Sequence, residues 1–212
     1  REGRFIARNE VGADPERMYT PVSGFHMANR SRLESWPFAM LSTGTHDHKR
    51  GEDVRARLAA ITEIPEAWRD WAFRVAELAD AYTTEVEGGD VAPDKNDQYF
   101  LMQTVLGTWP MELAGPDYDG IDGYTERIVE YALKAIREAK VNTSWTATNQ
   151  EYEDAMERYV RSLLSVRRSG TLVKVIEQFV RQVEIPAAVN GIAAKLLALT
   201  VPGVPDSYQG TE

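Results

Sequence analysis

The sequence predicts a mainly α-helical chain in which a helical bundle is inserted between two neighbouring parallel strands of an α/β sheet or barrel. Three observations point there. Apolar residues recur at steps of three and four over most of residues 64–199. The breaks between those stretches are short, which favours antiparallel packing of successive helices. Two brief apolar segments, 38–43 and 204–208, depart from the helical pattern and read as strands, and parallel strands need a long, usually helical, crossover.

The first strand is Phe38 to Thr43, a compact apolar run after Trp36-Pro37 that turns small and polar and is too short for an independent helix. The first clear helix places Ile64, Trp68, Trp71, Val75, Leu78 and Tyr82 on one face, with Pro65 at a first helical position, where its missing N–H costs nothing. Gly88-Gly89 and Pro93 mark a break after it. Residues 97–108 read as a helix stopped before Pro110, and residues 111–123 as a loop rich in glycine. A helix near 124–140 turns Ile128, Tyr131, Ala135 and Ala139 to the core. Another, over 150–168, carries Tyr152, Met156, Tyr159 and Leu163 and ends on Gly170 as a C-cap. Leu172, Ile176, Phe179 and Val183 define a helix over 171–184, and Pro186 opens a last one to Leu199. Val204 to Tyr208 is the second strand, punctuated by Pro202, Gly203 and Pro205.

Composition excludes several classes. The 212 residues include 24 basic and 33 acidic side chains and no cysteine. A disulfide scaffold and a thiolate metal site are therefore ruled out. The net charge of −9 argues against wholesale nucleic-acid binding. No uninterrupted apolar run approaches the roughly 18 residues that span a bilayer, so no membrane partner is expected. The charge is uneven, at +2 over residues 1–50, −10 over 51–140 and −1 over 141–212. Such a central acidic block reads as a solvated helical surface. The chain opens at Arg1 without a methionine or signal-like segment and stops straight after the second strand, so the expectation is a piece of a larger, cytoplasmic protein.

The densest polar chemistry is Thr45-His46-Asp47-His48-Lys49-Arg50, directly after the first strand. Polar residues at the carboxyl end of a parallel strand sit where α/β barrels and sheets place their sites. A carboxylate ringed by His46, Lys49 and Arg50 suits the stabilisation of positive charge or the gripping of hydroxyls, and suits general-acid work poorly. The same spacing lets Asp47 do no more than cap the following turn. Glu52 and Asp53 read as the acidic first turn of the next helix. The adjacent His-Asp pair, with His26 upstream, is also similar to that of helical metal phosphohydrolases. Here, however, it follows a strand, and Lys49 and Arg50 would repel a cation, so neither a metal nor a cofactor is expected.

The run Ser42-Thr43-Gly44-Thr45-His46-Asp47-His48-Lys49-Arg50-Gly51-Glu52-Asp53-Val54-Arg55-Ala56-Arg57 resembles the Thr-His-Asp-Thr-Lys-Arg-Ser-Glu-Asp-Val-Arg-Ala-Arg signature of the maltooligosyltrehalose synthase family, in the α-amylase superfamily. Four further blocks resemble that family in order. They are Asn9 to Pro15, Asn96 to Tyr99 with Gln103 to Pro110, Lys134 to Lys140 with Thr143-Ser144-Trp145, and Pro202 to Glu212. Departures are His48 in place of threonine, Gly51 in place of serine, and Ser207 where isoleucine or leucine is common.

The resemblance implies a (β/α)8 barrel in which Phe38 to Thr43 is the seventh strand and Val204 to Tyr208 the eighth. Residues 1–50 would be a partial barrel segment, 51–185 a helical insertion domain, and 186–212 the last barrel helix and strand. Asp47 corresponds to the transition-state-stabilising carboxylate, and His46 to the histidine that contacts the sugar in the −1 subsite. Lys49 and Arg50 fall beside the glucan groove, and Tyr208, Gln209 and Glu212 at its rim. The implied activity is that of an isomerase, a (1→4)-α-D-glucan 1-α-D-glucosylmutase. It turns the reducing-end α-1,4 bond of a maltooligosaccharide into an α,α-1,1 (trehalose) bond by intramolecular transfer, alongside a maltooligosyltrehalose trehalohydrolase in trehalose biosynthesis. The nucleophile and general acid would lie on earlier strands outside this chain, leaving it inactive alone. The rival readings are an α-glucan hydrolase of the same superfamily and a non-catalytic helical interaction module.

Overall fold

A computed structural model describes residues 5–14, 16–17, 19–114 and 118–208. In chain order the elements are α1 (Val22–Ser35), β1 (Met40–Ser42), α2 (Glu52–Ala60), α3 (Pro65–Ala79), β2 (Thr84–Glu85), β3 (Val91–Ala92), α4 (Lys95–Thr108), α5 (Ile121–Ala139), α6 (Gln150–Leu163), α7 (Val166–Thr200) and β4 (Val204–Asp206), with short 3-10 turns at Ile6–Arg8, Ile61–Glu63, Asp80–Tyr82 and Met111–Ala114. The described residues divide into two units, one within 64–182 and one within 5–63 with 183–208. The helix α2 stays with the strands, because it packs on the Ile6–Arg8 turn and is bonded to the second half of α7.

The first unit is held by aromatic packing and by capped helix ends. The periodic face of α3 buries Trp68, Trp71, Val75 and Ala79. The rings of Trp71 and Phe179 stack at 5.0 Å, as do those of Trp68 and Trp71. The Trp71 Nε1 donates to the Val175 carbonyl at 3.1 Å, so the indole is buried without leaving its polar atom unpaired. Asp94 caps α4 by accepting from the Asp97 N–H at 2.8 Å, and Asn149 caps α6 by accepting from the Tyr152 N–H at 3.1 Å. The two caps are joined through the Tyr152 hydroxyl. It donates to Asp97 at 2.6 Å and accepts from the Asp94 N–H and from Asn142. Burial pushes the Asp97 carboxyl above its ordinary value, against the pull of the Tyr152 hydrogen bond. α5 and α6 pack most extensively, and Glu153 on α6 is buried between Arg137, at 2.8 Å, and the Thr143 hydroxyl, also at 2.8 Å.

In the second unit β1 and β4 pair in parallel, with Met40 opposite Val204, Leu41 opposite Pro205 and Ser42 opposite Asp206. Gly203 makes the approach possible. Its φ is +130°, and a Cβ there would stand 2.7 Å from Leu41 side-chain carbons. On the second half of α7, Asn190 donates to the Ala56 carbonyl, while Lys195 reaches Glu52 at 2.8 Å and the Ser207 hydroxyl at 3.3 Å. Ile185, Val189, Ile192, Leu196 and Leu199 form an exposed aliphatic row on the same stretch, at helical spacing.

Several sequence expectations need correction. α1 is a helix that apolar periodicity does not predict, because its apolar residues form no stripe and none is buried. The Gly88-Gly89 break is the turn of a small antiparallel pair, β2 with β3. The loop over 111–123 contains a 3-10 turn, and α5 begins earlier, at Ile121. Its buried stripe is rotated to Tyr124, Ile128, Val129, Ala132 and Ile136, leaving Tyr131, Ala135 and Ala139 half-buried. α6 stops at Leu163 and not at Gly170, and α7 kinks at Ser169, whose backbone leaves the helical region (φ −133°, ψ 37°) and whose hydroxyl donates to the Ser162 carbonyl at 2.7 Å, serving the end of α6. The helices read over 171–184 and from Pro186 are one. Proline fits helical φ, but it lacks the N–H that would have met the Gln182 carbonyl and its ring crowds that carbonyl, a cost that α7 absorbs. By length and composition alone α7 could cross a membrane, which a search for uninterrupted apolar runs misses because Glu184, Asn190 and Lys195 punctuate it.

The hydrogen bond from Arg137, with help from Thr143, holds the Glu153 carboxyl below its ordinary value of 4.5. A group lowered in this way stabilises the fold above that value and loses its contribution as pH falls through the folded one. Glu153→Gln should cost about 2–3 kcal/mol at neutral pH by urea denaturation. The difference from the parent chain should shrink steadily below pH 4.5.

Candidate functional site

The two strands run parallel, so the segments that follow them leave from the same end of the pair. One is residues 43–50, after β1; the other is Ser207-Tyr208, after β4. The first is shaped by its own short-range bonds. The His48 N–H donates to the Thr45 carbonyl at 3.1 Å, and the Thr45 N–H donates to His48 Nδ1 at 3.0 Å, which requires that nitrogen to be unprotonated. The Asp47 N–H donates to the Thr45 hydroxyl at 3.3 Å, and Lys49 Nζ donates to the Asp47 carbonyl at 3.1 Å. The threonine and histidine thus make a tight turn with Asp47 at its tip.

The side chains at that tip point outward. His46 and Asp47 lie 3.5 Å apart, Nε2 to carboxylate oxygen, and their side chains are 78% and 57% exposed. An exposed carboxylate beside an imidazole can accept hydrogen bonds from hydroxyl groups or face a developing positive charge. Lys49 is also exposed, whereas His48 is half-buried against the turn. His26, on α1, packs edge-on to Phe25. Among the described residues no three His, Asp or Glu side chains cluster as metal ligands.

Arg50 is placed differently from its neighbours. Its side chain is 8% exposed and donates to Glu10 at 2.7 Å; the Glu10 side chain is 3% exposed. The other Glu10 oxygen accepts the Lys49 N–H at 2.7 Å. The guanidinium expected beside a sugar groove is therefore a partner of a buried carboxylate about forty residues upstream. Glu10 lies within the Asn9 to Pro15 block of resemblance, and a pairing at that separation leaves no local periodicity from which its role could be found. Glu52 is structural, as its place in the first turn of α2 suggests, and accepts from the Thr43 hydroxyl at the end of β1. Burial raises its carboxyl, but Lys195, Thr43 and Arg55 outweigh that and leave it below its ordinary value. Tyr208 is 39% exposed, and Gln209 and Glu212 lie outside the described residues.

No family model matches the chain. A curated relative from Mycobacterium tuberculosis (strain CDC 1551 / Oshkosh) that bears the name maltooligosyl trehalose synthase is 37% identical over all 212 residues. This chain is homologous to a segment of a maltooligosyltrehalose synthase. It spans about a quarter of the length of the curated relatives it matches. The solved structures agree. The maltooligosyltrehalose synthase from Arthrobacter ramosus superposes with a TM-score of 0.80 at 33% identity, covering 98% of this chain and 24% of that one. The Sulfolobus tokodaii hypothetical maltooligosyl trehalose synthase gives 0.81 at 30% identity, covering 97% and 26%. These relatives and structures cover almost the whole chain, as do the five blocks of resemblance between Asn9 and Glu212.

The burial difference between Lys49 and Arg50 has a measurable consequence. Arg50→Ala strands the Glu10 carboxylate and should cost about 3–5 kcal/mol of stability by thermal or urea unfolding. Lys49→Ala should stay within about 0.5 kcal/mol.

Proposed function

We propose that this chain is part of the catalytic barrel of a maltooligosyltrehalose synthase, with β1 and β4 as its seventh and eighth strands and residues 64–182 as a helical insertion between them. The observation that carries this reading is the outward-facing His46–Asp47 pair just past the carboxyl end of a parallel strand, within a chain homologous to synthases from end to end. The exposed apolar residues Phe38 and Met40, at and beside β1, support it too, since an inner barrel strand is covered on both faces.

The parent enzyme would isomerise the reducing-end α-1,4 bond of a maltooligosaccharide to an α,α-1,1 bond. A nucleophilic carboxylate and a general acid on strands outside this chain would open the bond by way of an oxocarbenium-like transition state. Asp47 would accept hydrogen bonds from the sugar's 2- and 3-hydroxyls, and these strengthen as positive charge develops on the ring. His46 would contact the same sugar. Lys49, Tyr208, Gln209 and Glu212 would border the glucan path, while Arg50 would act from beneath through its pair with Glu10. The freed glucose must stay in place and turn, so that its own C1 hydroxyl attacks in place of water. Holding it converts the second step into an intramolecular one, with effective molarities that reach roughly 10⁵–10⁸ M. Residues 1–212 alone would be inactive, and a maltooligosyltrehalose trehalohydrolase would act on the parent's product.

In the complete enzyme Asp47→Asn should lower kcat by about 10²–10³-fold or more while the melting temperature holds. Near-normal turnover would remove Asp47 from the reaction. Incubation with maltopentaose separates the chemistries. Isomerisation consumes reducing ends, and a net gain of them would identify a hydrolase.

A further inference from the structure

We infer that Glu10 is a positioning residue for the loop that carries His46 and Asp47, an inference that rests on the role proposed for Asp47. The geometry is specific. One Glu10 oxygen accepts the main-chain N–H of Lys49, two residues from Asp47, and the other accepts from the guanidinium of Arg50. A single buried carboxylate therefore grips two consecutive residues of the loop, one by its backbone and one by its side chain. Both charged side chains are almost fully withdrawn from water, at 3% and 8% exposure, where a bond to an ion is strong and its loss is not made good by solvent. Before the turn, Thr43 is held by Glu52 and Arg55; among the described residues the turn itself, 45–48, is bonded only within the loop. Thr45 and His48 close the turn, and Lys49 Nζ returns to the Asp47 carbonyl. Those internal bonds fix the shape of the turn; Thr43 anchors its entry, and the Glu10 contacts anchor its exit at Lys49 and Arg50.

Asp47 itself is exposed and, among the described residues, touches only His46 and the turn. A carboxylate that must meet two hydroxyls on a sugar needs its backbone placed before the substrate arrives. A displacement of the order of 1 Å at a catalytic group costs about 10²-fold in rate. Glu10 supplies that placement from a segment some forty residues away, without contacting the sugar.

The test uses the complete enzyme. Glu10→Gln keeps the shape and one acceptor for the Lys49 N–H but removes the charge that holds Arg50. The double variant Glu10→Leu/Arg50→Met replaces both members of the buried pair by apolar side chains, a replacement that is often neutral for stability. It also leaves the Lys49 N–H without its carboxylate. The expected result is that the double variant melts close to the parent yet loses about 10²-fold in kcat, with KM changed by less than about threefold. Glu10→Gln should show a smaller kcat loss in the same direction. If both variants keep kcat per folded molecule within about twofold of the parent, or lose activity only in proportion to folded protein, the positioning role is overturned. Asp47→Asn, assayed alongside, tells this failure from the other. If Asp47→Asn is inactive while the Glu10 variants are normal, only the inference about Glu10 falls. If Asp47→Asn is active, the role of Asp47 falls first.

Discussion

The loop after β1 depends on a carboxylate that the water cannot reach. Glu10 and Arg50 bury opposite charges at 2.7 Å, and the second oxygen of the same carboxylate takes up a backbone N–H. Removing two ions from solvent is costly, and their mutual attraction repays it only when geometry is good and the remaining lone pairs are used. Both conditions are met here. The result is less a gain in stability than a fixed address: a polar turn that would otherwise be an ordinary surface loop is registered against the beginning of the chain. Local sequence gives this turn its shape, while residues outside it, Glu10 at its exit and Glu52 at its entry, give it its position.

The same division runs through the larger helical unit. Apolar periodicity made α3, α6 and the first half of α7 legible, because Trp68, Trp71, Tyr152, Met156, Tyr159, Leu172, Ile176 and Phe179 all face a core and all recur at helical steps. The boundaries were less legible. Gly170 adjoins a kink at Ser169 within α7 and not the end of α6, and Pro186 is absorbed within α7. Propensity marks where a helix is costly to continue; tertiary packing decides whether it continues. α1 was invisible for the opposite reason, since its stability does not come from an apolar stripe.

In the candidate site, residue type was legible and residue state was not. Six consecutive polar residues after a strand were enough to mark the place. Their fates separate on burial alone: His46, Asp47 and Lys49 face outward, His48 folds back on Thr45, and Arg50 turns inward. Nothing in the spelling of Lys49-Arg50 says which cation is free to meet a substrate. That distinction is a long-range fact, set by a partner about forty positions earlier, and only coordinates or a paired change at both sites could reveal it.

The aliphatic row on the second half of α7 has a practical side. Ile185, Val189, Ile192, Leu196 and Leu199 give this stretch a greasy flank, while its polar flank is spent on Ala56, Glu52 and Ser207. Excluded salts such as sulfate strengthen the association of apolar surfaces. Prepared on its own, this polypeptide would salt out early and cling to hydrophobic chromatography media. Purification at low ionic strength would keep that flank from becoming a seam between copies.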